Sequence, residues 1–291
     1  MQLSPPPPSL SDLDAWIAQR ESQFLSLKPG VQAGIRWASP RRDKTETSLV
    51  YLPGYTATRG EISPAVERIA DALGANVFFV RPAGQGLGPE GHRDVTAKDW
   101  IRDGLEALAV GRLLGDRVVL IGTSTGGTLA AWLLLGLKQT VAATVLISPN
   151  LTPLNRASEF LLWPGKELWL SLFMGPYVNL ERRNDLHAQF WDLHHHSHSL
   201  IPMMDLVQKA RTADFSRWPS PALVVYDPED NVVDETVTVR LFSRVPNALV
   251  TLSPWTAAPE DDHHVLAGDA LSPHGTTPLV DLVTTYLRQT L

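Results

Sequence analysis

Apolar residues fall in short, solid blocks along this chain, with longer stretches of helical spacing between them. Residues 48–52 (SLVYL), 76–80 (NVFFV), 117–121 (RVVLI), 142–147 (AATVLI), 222–226 (ALVVY) and 248–252 (ALVTL) read as strands. Blocks that are apolar throughout, instead of alternating, predict strands buried on both faces. Between them, 64–73 and 99–114 have helical spacing and stop at Gly74 and Gly115, 127–137 is an apolar helix, and 277–291 reads as a closing helix. A short helix through Trp16 follows the capping residues 11–14, behind a stiff, extended tail made by Pro5 to Pro8. Strands alternating with helices predict an α/β architecture: a mostly parallel, doubly wound sheet with helices on both faces.

One segment breaks this rhythm. From about 150 to 220 no strong strand pattern appears, but aromatic and apolar clusters do, around Trp163, Trp169, Trp191, Met203 and Met204. An insertion at this point, mostly helical, is expected to sit as a lid over the carboxyl ends of the strands, where open α/β sheets bind ligands. The predicted division is a tail and short helix in 1–30, a core in 31–149 and 221–291, and a lid in 150–220. The five aromatic and methionine residues are candidates for substrate contact, set against the alternative that they are core packing.

Composition narrows the field. The 291 residues carry a formal net charge of -6, which disfavours nucleic acid as a partner. There is no cysteine, which excludes disulfides, thiolate catalysis and Cys-ligated zinc and fits a reducing cytoplasm. The N-terminus has neither the basic nor the apolar region of a secretory signal, and the longest apolar run, 129–137, is far short of the ~20 residues that span a bilayer. The expectation is a soluble, cytoplasmic chain, with no oligomeric state indicated.

The clearest chemical signal is Gly122-Thr123-Ser124-Thr125-Gly126, between a predicted strand and a predicted helix. G-x-S-x-G in that setting is a nucleophile elbow: a tight turn that leaves no room for side chains two residues either side and lifts the serine hydroxyl onto a helix N-terminus. Ser124 is thus the candidate nucleophile, and the N–H of Thr125 a candidate oxyanion donor. A serine hydroxyl is weak at neutral pH and needs a base, which needs an orienting carboxylate. In this chain order both follow the serine. Asp227, Glu229, Asp230 and Asp234 are available after the fifth strand, and His263, His264 and His274 after the sixth.

At this point the sequence resembles a known family. Leu52-Pro53-Gly54-Tyr55-Thr56-Ala57 is similar to the H-G-F-x-A/G loop of bacterial carboxylesterases and monoglyceride-lipase-like α/β-hydrolases, with Pro53 in place of the histidine. The resemblance implies that the Tyr55 N–H is the second oxyanion donor. It also implies that Asp230 is the acid, on the pattern G-x-x-D-x-x-V with Asp227 at the glycine position, and that His264 is the base, on H-V-x-x-x-D. The turn 81–86 resembles R-x-x-G-x-G and reads as structural.

The expected activity is hydrolysis of a carboxylic ester with an apolar acyl or alcohol group through an acyl-enzyme on Ser124, with no metal and no organic cofactor. A thioesterase or acyltransferase would use the same triad, and a catalytically inactive ligand-binding protein could share the fold. Asp192-Leu193-His194-His195-His196-Ser197-His198 is rich in imidazole but lacks a recognised ligand spacing, and reads as a polar face of the lid.

Overall fold

Why the apolar blocks form a sheet, and where that sheet carries its loops, is visible in a computed structural model that describes residues 9–291. The proline run at 5–8 lies outside the described residues. In chain order the elements are α1 (Leu13–Glu21), β1 (Gly34–Arg36), β2 (Thr45–Leu52), α2 (Ala65–Leu73), β3 (Asn76–Phe79), α3 (Ala97–Leu114), β4 (Gly115–Thr123), α4 (Thr125–Leu135), β5 (Ala143–Ile147), α5 (Lys166–Phe173), β6 (Tyr177–Asn179), α6 (Asp185–Phe190), β7 (His194–His196), α7 (Leu200–Arg211), β8 (Ala222–Tyr226), α8 (Glu235–Phe242), β9 (Val250–Pro254) and α9 (Pro273–Thr290).

Seven strands form one sheet in the order β1-β3-β2-β4-β5-β8-β9. Only the edge strand β1 is antiparallel; the other pairings are parallel. Their registers align the ends of neighbouring strands: Leu52 faces Gly122, Thr123 faces Ile147, and Tyr226 faces Pro254. The loops that follow β2, β4, β5, β8 and β9 therefore gather along one edge, the carboxyl edge at which such sheets bind ligands.

The continuous apolar strands serve two cores. Val50, Leu52, Val118, Leu120, Leu146 and Val224 pack with α3, α4, α7 and α8 on one face. Leu49, Tyr51, Val119, Ile121, Val145 and Val225 pack with α2 and α9 on the other. This two-sided burial removes the period-2 alternation that a half-exposed strand would show.

Local chemistry moved several boundaries. The helix predicted from 99 begins at Ala97, because Thr96 and Asp99 form a reciprocal capping box. The last helix begins at Pro273 instead of 277, with proline in its first turn, where its missing N–H costs nothing. The sixth predicted strand starts two residues late, since 247–249 turns as a 3-10 helix. Strand β1 and helix α8 have no counterpart in the sequence reading. β1 is three half-buried residues with one apolar side chain, Ile35, too short to register as a pattern.

Between β5 and β8 the chain is mostly helical, as expected, but β6 and β7, on either side of α6, pair antiparallel. No strong strand pattern marks them in the sequence, because three-residue strands of Tyr, Val, Asn and His carry no apolar block. Their burial corrects the reading of the histidines as a polar face. His194 is exposed, while His195 is fully buried and His196 is buried too. The His195 Nδ1–H donates to the Asp192 carbonyl at 2.9 Å, and burial pushes its imidazole down to about 4, so the ring is neutral at physiological pH. No helix among the described residues is long and apolar enough to cross a membrane.

Candidate active site

Ser124 closes β4 and caps α4 with φ +52° and ψ −118°, a conformation that a residue with a side chain adopts at a cost of about 1–3 kcal/mol. The surroundings hold it there. Its N–H donates to the Ile147 carbonyl at 2.9 Å, and its own carbonyl accepts the N–H groups of Asn150 at 3.0 Å and Thr128 at 3.1 Å. The two flanking glycines are required by contact: a Cβ on Gly122 would meet the Gly126 backbone, and one on Gly126 would run into the Leu52 carbonyl oxygen. The turn is thus wedged between the ends of β2 and β5, with its hydroxyl at the N-terminus of α4.

Two main-chain donors lie next to it. The N–H groups of Tyr55 and Thr125 make no hydrogen bond among the described residues. For Thr125 this follows from its place in the first turn of a helix, whose N–H groups have no intrahelical partner. Tyr55 is fixed through its side chain: the hydroxyl lies 2.6 Å from Ser199 Oγ, and the ring packs edge-on against Trp100 and His195. Gly54, the residue between β2 and Tyr55, is clamped on both sides. Its N–H donates to Glu61 Oε2 at 2.8 Å, and its carbonyl accepts from Gln85 Nε2 at 3.1 Å.

The rival acids and bases sort themselves into pairs. His264 Nδ1 lies 2.8 Å from Asp230 Oδ2, both residues being buried. The other oxygen of Asp230 accepts the N–H groups of Val232 and Val233, which fixes the carboxylate. His263 instead reaches Asp227 at 2.9 Å, and His274 reaches Asp261 at 2.9 Å. Burial pushes the His264 imidazole down, but the hydrogen bond and charge of Asp230, with Asp262 and Glu61 beyond, outweigh it and leave the ring above its ordinary range. With Nδ1 engaged, Nε2 is the ring's free nitrogen. No hydrogen bond joins it to the Ser124 hydroxyl; such contacts are often long before substrate binds.

Three polar residues here were not foreseen. Asp262 accepts the N–H groups of His264 and Val265, both at 2.8 Å, and so orients the base from behind. Glu61 sits fully enclosed beside Tyr51 and Gly54. Asp192, entirely buried, accepts from the Gly86 N–H at 2.7 Å and from His92 Nε2 at 2.9 Å, with the Lys28 ammonium 3.0 Å from its other oxygen. Its own N–H donates to the Thr56 carbonyl, and Trp191 bridges Ala57, so the insertion is tied to the loop that carries Tyr55. Nothing in the spacing of these three residues marks them. Gln85 does fall in the turn already singled out at 81–86.

The five aromatic and methionine residues of the insertion are dispersed. Trp163 and Trp169 are exposed, at 63% and 39%. Trp191 is buried with the α2–α9 core, and Met204 is fully buried with the opposite one. Met203 comes nearest the elbow, its sulfur 3.4 Å from Asn150 Nδ2, whose backbone N–H is bonded to the Ser124 carbonyl. A small cavity beside Thr125 is lined by Leu52, Trp100, Leu129 and, from the insertion, Leu206. None of the five lies in that lining.

The sequence profile of the alpha/beta hydrolase family matches residues 49–280, which hold every element of this site. The chain belongs to the alpha/beta hydrolase family. Among curated proteins none matches its sequence. Solved hydrolase structures share the fold. One, described with LipS and LipT, two metagenome-derived lipolytic enzymes, superposes with TM-score 0.71 at 15% identity, over 90% of this chain and 99% of its own. A soluble variant of monoglyceride lipase from Saccharomyces cerevisiae gives 0.65 at 12% identity, over 92% and 97%. The monoacylglycerol lipase of Paleococcus ferrophilus gives 0.62 at 15% identity, over 88% and 99%. At such identities the likeness is one of fold, and activity must be argued from the site.

Proposed function

We propose that this hydrolase cleaves carboxylic esters through an acyl-enzyme on Ser124, with His264 as base, Asp230 as its orienting acid, and the N–H groups of Tyr55 and Thr125 as the oxyanion hole. The observation that carries this reading is the His264–Asp230 hydrogen bond at 2.8 Å, which leaves Nε2 as the ring's free nitrogen at the carboxyl edge where the elbow lies. Of the rivals, Asp227 is paired with His263, Asp234 with Arg156 and His274 with Asp261.

The steps follow from these positions. Ser124 Oγ attacks the ester carbonyl as its proton passes to His264 Nε2. Asp230 holds the ring with Nδ1 protonated and stabilises the imidazolium. The oxyanion that develops meets two N–H groups already in place, each worth about 3–4 kcal/mol in a comparable hole. Collapse of the intermediate expels the alcohol, which takes the proton from Nε2. Water then attacks the acyl-enzyme with the same base, releasing the acid and restoring Ser124.

That the fold neighbours include lipolytic enzymes and a monoglyceride lipase favours an ester substrate over other acyl groups. The insertion at 150–220 is read as a lid. We assign its contact with substrate to the region around Thr125, where Leu206 approaches and where Met203 touches Asn150, whose backbone N–H bonds the Ser124 carbonyl. The test is a screen of p-nitrophenyl esters of graded acyl length, with fluorophosphonate labelling of the wild type and of Ser124→Ala. Loss of labelling and of about 10⁶ in kcat in the mutant supports the reading. Retained activity in Ser124→Ala ends it.

A further inference from the structure

Glu61 is a carboxyl group that the triad does not use. It is 2% exposed and no lysine or arginine pairs with it. Its Oε2 accepts two hydrogen bonds, from the Tyr51 hydroxyl at 2.6 Å and from the Gly54 N–H at 2.8 Å. Its Oε1 accepts none among the described residues. That second oxygen lies on the same side of Gly54 as the nucleophile: a Cβ placed on Gly54 would stand 2.5 Å from Glu61 Oε1 and 3.2 Å from Ser124 Cβ. A side chain at this position would run into both.

The groups around it are mostly unable to compensate a negative charge. Tyr51 comes from β2 and has its own hydroxyl pushed up by burial and by Glu61. Glu67, on α2, adds negative charge nearby. Arg59, two residues away, is turned over the ring of Phe79 at 4.4 Å. Among the described residues His264, when protonated, is the cation that acts on Glu61, and it faces Asp230 and Asp262 as well.

We propose, resting on the ester-hydrolase reading, that Glu61 is a positioning residue that works as a neutral carboxylic acid: it fixes the oxyanion loop through the Gly54 N–H, and its proton keeps negative charge away from the place where the oxyanion forms. Burial, against the hydrogen bonds of Tyr51 and Gly54 and the charge of His264, pushes this carboxyl up to about 7, which keeps the proton in place on the acid side of neutrality. When the proton leaves, the carboxylate opposes the developing oxyanion from across Gly54 and also holds His264 in its protonated, inactive form. A neutral acid kept in place by an apolar site is an established device in other enzymes.

Glu61→Gln is the informative variant. The amide oxygen can still accept from Tyr51 and Gly54, and the group cannot ionise. The wild type is expected to show a bell-shaped kcat/KM profile whose alkaline limb falls roughly tenfold per pH unit. In Glu61→Gln the alkaline limb should vanish, and the acid limb, along which Glu61 is still uncharged, should stay in place. Glu61→Leu, which removes both acceptors, should lose activity at every pH. A second readout does not depend on ester turnover: carbon-13 NMR titration of the Glu61 carboxyl, and proton NMR titration of the His264 ring in both proteins. A Glu61 midpoint near neutrality, with a His264 titration that extends to higher pH in the wild type than in Glu61→Gln, supports the proposal even if no ester is turned over, in which case it is the substrate reading that fails. A Glu61 midpoint in the ordinary carboxylate range overturns the proposal. So does an unchanged alkaline limb in Glu61→Gln, or an equal loss of activity in the Gln and Leu variants.

Discussion

His263 hydrogen-bonds Asp227 at 2.9 Å, one residue before His264 makes the equivalent bond to Asp230 at 2.8 Å. The loops after β8 and β9 therefore hold two imidazole–carboxylate pairs side by side. Burial separates them: the His264 side chain is 8% exposed and that of His263 30%. Asp227→Asn and His263→Gln are expected to leave kcat within about threefold. Asp230→Asn should cost about 10⁴ by analogy with the same change in a studied triad, and His264→Gln at least as much. Steady-state kinetics on the four variants check this, and a large loss in the first two would exchange the assignment.

Asp192 is the point at which the insertion, the N-terminal segment and the oxyanion loop are joined. Removing its carboxylate leaves the Gly86 N–H and His92 Nε2 without their acceptor in a buried setting and takes the counter-charge from the Lys28 ammonium, which keeps the Trp191 and Ala188 carbonyls. Breaking a buried ion pair from one side typically costs about 3–5 kcal/mol. Asp192→Ala should fall in that range by urea denaturation, while kcat should change far less, because the backbone N–H that bonds the Thr56 carbonyl is kept. A variant as stable as the wild type would show that these contacts are not held in solution.

Stability should carry a trace of Glu61. In the folded chain this carboxyl keeps its proton up to about 7, against 4.5 for a free glutamate side chain. Between those values the folded state binds more protons than the unfolded state, so stability contributed by the neutral acid falls as pH rises and levels off above about 7. Asp103, also pushed up to about 7 by burial, adds a parallel slope. The comparison is therefore between Glu61→Gln and the wild type: the mutant should gain relative stability from about pH 5 to about pH 8, by roughly 3 kcal/mol at most. A difference that stays flat across that range contradicts a buried proton on Glu61.

Acyl-length preference should answer to Leu206 and Met203, not to the tryptophans on the outside of the insertion. Trp163→Ala and Trp169→Ala should leave the preference between short and long esters unchanged. Leu206→Ala or Met203→Ala should shift it by about tenfold or more, since one methylene contact is worth ~1–3 kcal/mol. Equal profiles in all four variants would detach the small cavity beside Thr125 from the substrate.

How much of this was legible beforehand depended on the kind of signal. Strands buried on both faces announce themselves as apolar blocks, and five of the six predicted ones lie within about two residues of their predicted limits, β8 matching at both ends. The elbow was legible because steric demand confines it to glycines at fixed spacing. The pairing of Asp230 with His264 rested on resemblance, because the chain offers four carboxylates and three imidazoles in the right order and only tertiary geometry separates them. Glu61, Asp192 and Asp262 were invisible for a related reason. Each acts through space on a backbone group or a ring far from it in kind, and a lone acidic residue in a loop looks the same whether it is solvated or enclosed. The pairing of β6 and β7 was missed because it is short and polar, with its burial supplied by neighbours.

The bonds from Trp191 and Asp192 to Thr56 and Ala57 bear on how such a protein can be recombined. An insertion between β5 and β8 looks like a cassette that could be exchanged among hydrolases at its two strand ends. Here it has a third attachment, to the very loop that carries Tyr55. A graft cut only at 150 and 220 would separate that loop from its partners, whereas one that also carries 54–60 would keep the backbone contacts of Trp191 and Asp192 with it. The natural module is discontinuous in sequence, and its boundary runs through the oxyanion loop.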